Sequence, residues 1–271
     1  MEIIDKFKSE NTTSKLQATR IFEDDQPAEI ELNIATEHHM LVVINTVPTF
    51  EVVCSPDHLS ELVVGRLLSE GIVASVGEIS QVYICDEGKR AEVLLKDSKR
   101  GDFNKTSIDQ VSTCCTGNKT LNSYYKPHDV LQPVTPICWT KEWLFNMTKF
   151  FRKDSPAHKK SFGTHSCYVS WDTSDFSMDK PFVCEDLGRH NAFDKAIGCA
   201  VCAGIDLKRC MAFTSGRLPV DMVSKAVRAK IPILASKAVP TESGIELARQ
   251  SKLTLICSAY PDSADVILDF S

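Results

Sequence analysis

MAFTSGRLPVDMVSKAVRAKIPILASKAVPTESGIELARQSKLTLIC, residues 211–257, alternates short apolar runs with stretches of helical spacing. MAFT, IPILA and LTLIC have strand length, and the segments from Pro219 to Lys230 and from Thr241 to Gln250 read as helices. Just upstream the pattern begins with strands HSCYVSW (165–171) and PFVCED (181–186) and a helix from about Asn191 to Ala203. Strands that alternate with helices imply an α/β domain with a mostly parallel sheet covered on both faces. In such sheets ligands sit beyond the carboxyl ends of the strands, where loops meet helix N-termini.

The polar clusters of this region fall at those ends. The first begins at the end of PFVCED, where Glu185, Asp186, Arg189, His190, Asn191, Asp194 and Lys195 crowd around Gly188 within eleven positions. Such a mixture suits a ligand with hydrogen-bonding edges and phosphates. A plain charged turn, with Asn191 capping a helix and Asp194 and Lys195 solvated, is the competing reading. The second cluster is Thr214-Ser215-Gly216-Arg217, where glycine lets the backbone approach a ligand, the helix start offers free N–H groups and arginine can grip a phosphate. The third loop, Ser236 to Thr241 with Pro240, leads into the next helix. Three consecutive loops on one sheet edge imply an extended ligand.

Farther toward the N-terminus, MLVVINTVPTFEVVC (40–54) reads as a hairpin around Thr46-Val47-Pro48. A helix is expected next, with Ser55 as N-cap, Pro56 at the first position, Asp57 at the positive end, an apolar face of Leu59, Leu62, Val63 and Leu67, and Gly71 as its stop. Ordinary core packing is expected of it. Strands at 79–85 and 90–95 follow, then a polar stretch and the loop VSTCCTGNKT (111–120). Thr140 to Lys153 reads as a helix whose Trp143, Met147, Phe150 and Phe151 form a core stripe. This organisation divides the chain into an arm (1–36), a small α+β region (37–135) and the α/β domain (136–271).

Composition narrows the class. With 271 residues and 43% hydrophobic content the chain can bury a large core. The net charge of -5, without a basic tract, argues against nucleic acid as the main partner. Met1 to Lys15 lacks a signal-peptide core and no apolar run approaches the roughly 20 residues a membrane helix needs, so a cytoplasmic protein with no membrane partner is expected. Eleven cysteines, odd in number and scattered, are expected to be free thiols rather than disulfides. Cys199-x-x-Cys202 is expected to be buried and structural, because it lies late in a helix among Ala, Ile and Val rather than at a helix start. With no second pair at ligand spacing, no metal site is expected.

Three strings carry a resemblance: EDLGRHNAFDKAIG (185–198), TSGRLPVDMVSKAVRAKIPILASKAVPTESGIELARQSKLTLI (214–256) and VINTVPTFEVVCSPDHLSELVVGRLLSEGIV (43–73). Long and ungapped, they resemble the FdhD family of formate dehydrogenase accessory sulfurtransferases from about residue 28 to the end. The resemblance implies a cytidine-deaminase-like three-layer domain, a small N-terminal α+β domain and a homodimer. It implies a sulfur carrier that takes persulfide sulfur from a cysteine desulfurase and passes it to the bis(guanine dinucleotide) molybdenum cofactor needed by formate dehydrogenase. The three loops, with His165 of FGTHSCYV matching a family histidine, would hold the guanine and phosphate parts. A zinc deaminase, the enzyme rival on such a fold, needs H-x-E and P-C-x-x-C, and neither occurs.

The sulfur-carrying loop departs from the family's C-G-x-C-G form: aligning it to Cys114-Cys115-Thr116-Gly117-Asn118-Lys119 leaves Gly117 where the second cysteine would be. Against the single-cysteine form T-G-C-T-G-G, Cys115 takes the cysteine position and Cys114 replaces a glycine. Cys115 is the expected carrier, with Cys114 as the alternative and Lys119 favouring the thiolate. A chaperone that holds the cofactor without moving sulfur is the second function consistent with the missing cysteine.

Overall fold

The computed structural model describes residues 1–8, 11–96, 109–111, 131–153, 155, 159, 161, 163–171 and 181–271. It is a mixed α/β fold built on two six-stranded sheets and a separate two-stranded ribbon. The N-terminal half runs β1 (Glu2–Asp5), β2 (Thr13–Arg20), β3 (Ala28–Ala35), β4 (His38–Ile44), β5 (Val47–Cys54), α1 (Leu59–Ser69), β6 (Ile79–Ile84), β7 (Arg90–Leu95) and β8 (Asp109–Val111). The C-terminal half runs α2 (Lys141–Lys153), β9 (His165–Trp171), β10 (Phe182–Asp186), α3 (Arg189–Cys202), β11 (Cys210–Thr214), α4 (Val220–Arg228), β12 (Ile233–Ser236), α5 (Glu242–Gln250), β13 (Thr254–Cys257) and β14 (Asp265–Leu268).

The first sheet has the order β1-β6-β7-β4-β5-β8, with β1 as an edge strand, and among the described residues β2 pairs only with β3. The expected hairpin is β4–β5, but its turn is Asn45-Thr46, with φ of 48° and 72°, and Pro48 already pairs with Val43 inside the ladder. A two-residue hairpin turn of this kind has positive φ at both central residues, which asparagine tolerates and proline cannot adopt.

Helix α1 departs from expectation at its start. Ser55, Pro56 and Asp57 do not cap it; the cap is His58, in the left-handed conformation with φ 48° and ψ 42° and without a side-chain cap bond. The end is as expected: Gly71 at φ 68° donates to Leu68 and Val73 donates to Leu67, closing the helix through a left-handed glycine.

The second sheet has the order β10-β9-β11-β12-β13-β14. It is mixed rather than mostly parallel: β11–β12 and β12–β13 are parallel, whereas β10–β9, β9–β11 and β13–β14 are antiparallel. Helical crossovers do produce parallel strands here, but β9 inserts antiparallel between β10 and β11, the two strands that α3 connects. The sheet faces alternate as period-two strands require. Cys167, Val169, Cys210 and Ala212 pack with Phe193 and Ile197 of α3 and Ala226 of α4, while Tyr168, Met211 and Phe213 pack with Leu144 and Met147 of α2. Trp143, Phe150 and Phe151 join that second cluster, so the expected stripe is core.

Helix α1 fills the space between the first sheet and α3. Leu59, Leu62, Val63 and Leu67 pack into the core of the first sheet, and Gly65 and Gly198 mark the crossing with α3. A methyl on Gly65 would overlap the Asp194 carbonyl, and one on Gly198 would overlap the Glu61 carbonyl. The backbones therefore touch, with no room for a side chain. Gly198→Ala should cost about 1–3 kcal/mol in a denaturant melt, the usual range for overpacking. Gly163→Ala, whose added carbon would meet only ordinary contacts at 3.5 Å or more, is expected to melt like the parent.

Candidate functional site

One edge of the second sheet gathers the start of β9 and the ends of β10, β11 and β12. His165 pairs with Asp186, and Thr214 pairs with Ser236, so all three loops and the histidine meet there. Ser215 ties the edge together. Its hydroxyl lies 3.1 Å from His165 Nδ1, accepts the Ser166 N–H at 3.1 Å, and its own N–H donates to the Ser166 carbonyl at 3.0 Å. Ser166 in turn donates to Glu185 at 3.3 Å.

The loops are braced against one another. The Ser236 hydroxyl donates to the Gly216 carbonyl at 2.7 Å and its oxygen accepts the Ala238 N–H at 2.9 Å. Leu218 bridges to Pro240, and Thr241 donates back to the Leu218 carbonyl while its hydroxyl caps α5 through Gly244. Gly216 lies against Arg189, so that a β-carbon there would come within 2.8 Å of Arg189 Cδ. A larger residue would displace the arginine. Arg217, Lys237 and Thr241 are exposed, and His165, Glu185, His190, Ser215 and Pro240 are half-buried.

Asp221, in the first turn of α4, completes this edge. It accepts from His190 Nε2 at 2.8 Å and faces Arg189 Nη2 at 3.6 Å. Burial pushes the His190 imidazole below its ordinary value, and Asp221 opposes the shift. Asp221 was not singled out in the sequence, and its only signal is an acidic residue in a helix's first turn. The edge thus offers serine hydroxyls, a largely neutral imidazole, exposed cations and the N-termini of α3, α4 and α5, a set suited to a phosphate-bearing ligand.

Part of the first polar cluster points elsewhere. Asp186, Asn191, Asp194 and Lys195 are buried and face the N-terminal half, with Gly188 as the cap residue of α3. Asp194 receives Arg66 Nε at 2.9 Å, Ser69 Oγ at 2.6 Å and Lys225 Nζ at 2.9 Å, and Lys225 also reaches Glu70 at 2.7 Å. Asn191 accepts from Arg66 at 2.8 Å and donates to the Val53 carbonyl and to Asp186. Asp186 accepts the Ser55 and Gly188 N–H groups and pairs with Lys195 at 2.7 Å. Lys195 also reaches the Ser55 carbonyl and, at 2.6 Å, Asp57. Burial works against the Lys195 charge, but the Asp186 and Asp57 carboxylates more than offset it and hold the ammonium well above the usual lysine range. Asp194 and Lys195 are therefore neither solvated nor open to the loop edge.

The cysteines divide similarly. All nine described cysteines are free, with Cys54, Cys167, Cys184, Cys210 and Cys257 buried. Cys199-x-x-Cys202 is not the buried pair expected: Cys202 is exposed and Cys199 half-buried. Cys199 instead lies 3.5 Å from Cys184, and with His58 the two form the group of metal-ligand type found among the described residues. Residue spacing could not show this, because the three come from separate elements. Cys114 and Cys115 lie outside the described residues.

The family model described as FdhD/NarQ matches residues 35–268. A sulfur carrier protein FdhD from Listeria innocua serovar 6a is 28% identical over 257 residues, covering 94% of this chain and 96% of that protein. One of the same name from Staphylococcus haemolyticus is 27% identical over 235 residues, covering 87% of each. Among solved structures, one described as a candidate formate dehydrogenase accessory protein from Desulfotalea psychrophila superposes with a TM-score of 0.74 at 22% identity, covering 95% of this chain and 97% of that one. No helix among the described residues is long and apolar enough to cross a membrane.

Two outcomes are expected from the buried charges. Asp194→Ala leaves Arg66 and Lys225 facing each other without their shared carboxylate, and should cost about 3–5 kcal/mol in equilibrium unfolding. The acid dependence follows from Glu70, for which burial alone would raise the carboxyl but Lys225 and Arg66 hold it below its ordinary 4.5. A depressed folded value contributes stability that is complete above about 4.5 and is lost as the pH falls through that lower value. Melting curves recorded down the acid range should show this loss, and Glu70→Gln should flatten it.

Proposed function

The chain belongs to the FdhD/NarQ family, and on that footing we propose that it is a sulfurtransferase. It takes persulfide sulfur from a cysteine desulfurase and passes it to the bis(guanine dinucleotide) molybdenum cofactor needed for formate dehydrogenase activity. The observation that carries this reading is the loop edge of the second sheet, seen in a chain whose near full-length relatives bear the name sulfur carrier protein. Serine hydroxyls, His165, Arg217, Lys237 and three helix N-termini around one edge suit a dinucleotide with charged phosphates and a polar base.

In the loading step a thiolate attacks the outer sulfur of the donor's persulfide. A new S–S bond forms as the donor's S–S bond breaks, and the donor cysteine leaves as a thiolate, so one sulfur moves without net oxidation or reduction. Cys115 is assigned as the acceptor, with Cys114 as the alternative. The cofactor is substrate here, held by its guanine and phosphate parts across Glu185, Arg189 and His190, Ser215 to Arg217 and Ser236 to Thr241. The same reading takes the C-terminal half as cytidine-deaminase-like and the working form as a cytoplasmic homodimer.

Mass spectrometry after incubation with desulfurase and cysteine should find one added sulfur on the peptide that holds Cys114 and Cys115, absent in Cys115→Ala. A chain that binds cofactor yet never gains sulfur would be a chaperone instead. For the ligand edge, calorimetry should show GDP binding more tightly than ADP, because polar groups placed for guanine stay unpaired against adenine. Arg217→Ala should weaken GDP by about 1.5–3 kcal/mol, and Arg217→Lys should restore only part, since an ammonium lacks the planar fork. Equal binding of both nucleotides, indifferent to Arg217, removes these loops from the proposal.

A further inference from the structure

His58, Cys184 and Cys199 converge from three elements. His58 is the residue before α1, Cys184 is the third residue of β10, and Cys199 lies in the last turn of α3. One ligand atom of each lies within 4.8 Å of the other two, and the sulfurs are 3.5 Å apart. Cys184 is buried, Cys199 half-buried and His58 exposed, so the cluster has a closed inner end and a mouth toward solvent. The sulfur-transfer reading uses none of the three.

We propose that His58, Cys184 and Cys199 form a site for a thiolate-preferring divalent cation, Zn²⁺ by preference, whose fourth position stays open at the solvent side. The geometry is close to what zinc requires. Two thiolates at about 2.3 Å from a tetrahedral ion stand about 3.8 Å apart, so the observed 3.5 Å needs only small side-chain adjustments. The ligand set of two sulfurs and one imidazole, without an oxygen donor, disfavours Mg²⁺ and Ca²⁺, which take oxygen. Three protein ligands with one open position are the pattern of zinc sites that accept an outside ligand.

The histidine is arranged for the role by its neighbours. His58 Nδ1 is 3.1 Å from Asp57 Oδ2, and the other Asp57 oxygen receives Lys195 at 2.6 Å. A carboxylate on one ring nitrogen orients a metal-binding histidine and leaves the second nitrogen for the ion. His58 also holds a left-handed backbone without glycine's freedom and without capping α1 by its side chain, a local cost that coordination would explain. On binding, Zn²⁺ replaces the two thiol protons, which go to solvent, and no electron is transferred. Affinity therefore rises with pH.

The test uses the full chain, stripped of metal with a chelator and kept reduced by a phosphine so that Cys184 and Cys199 cannot close into a disulfide. Titration with Co²⁺ should give a thiolate-to-cobalt charge-transfer band and tetrahedral ligand-field bands that saturate at one equivalent and vanish when Zn²⁺ is added. His58→Ala and Cys199→Ala should each weaken Zn²⁺, measured against a chromophoric chelator, by at least the roughly 10–100-fold that loss of an outer-shell partner brings. Their exposed and half-buried positions should leave the circular dichroism unchanged, which buried Cys184 does not promise. The Cys114→Ser, Cys115→Ser double variant should keep the full cobalt spectrum while losing sulfur loading. The proposal fails if the parent shows no thiolate–cobalt band, if that band survives both His58→Ala and Cys199→Ala, or if it disappears in the loop double variant.

Discussion

Asp194, with no exposed side-chain surface, sits between Arg66 and Lys225, and the two halves of the molecule are organised around that carboxylate. Three charges cannot leave water unless each finds opposite charge and hydrogen bonds together. Here Arg66 divides its donors between Asp194 and Asn191, and Lys225 divides its own among Asp194, Glu70 and Ser69. A second clasp, Asp186 with Lys195, repeats the device at the Ser55–Asp57 turn. The helix contact between Gly65 and Gly198 lets the clasps close, because the backbones must touch before such side chains can reach.

This arrangement divides one sequence cluster between two tasks. Along Glu185 to Lys195, the residues that point toward α1 join the halves, whereas Arg189 and His190 turn toward Asp221 and the loop edge. The ligand edge is therefore rigidly referenced to the domain junction, with Asp186 only one residue from Glu185. A substitution in this segment meant to alter ligand binding can act through folding unless its side chain faces the loops.

Much of the backbone plan was legible in the sequence because its causes are local. Gly71 ends α1 through its positive φ, MAFT, IPILA and LTLIC are strands through their composition, and Trp143, Met147, Phe150 and Phe151 share a face through their spacing. The meeting of the three loops was also legible, since it follows from helical crossovers between strands. What sequence could not supply were partners drawn from distant positions. Ser55 reads as a cap, but its N–H is taken by Asp186, 131 residues away. Arg66 and Glu70 look like the solvated side of an amphipathic helix until α3 and α4 are laid on them. Antiparallel β9 hides because the sequence shows only that two strands follow one another. The His58, Cys184 and Cys199 group has no spacing signature at all.

The clasps also bear on how the chain is made. Arg66 leaves the ribosome 128 residues before Asp194, and Ser69 leaves 156 before Lys225. At about 5–20 residues per second, α1 therefore waits roughly 6–30 s for its counter-charges. During that interval its apolar face can pack on the first sheet, but its arginine and glutamate must stay hydrated and its glycine surface uncovered. The N-terminal half is thus a nascent intermediate with a face reserved for later sequence, and a stall or truncation before residue 194 leaves that face open to whatever a chaperone or protease makes of it.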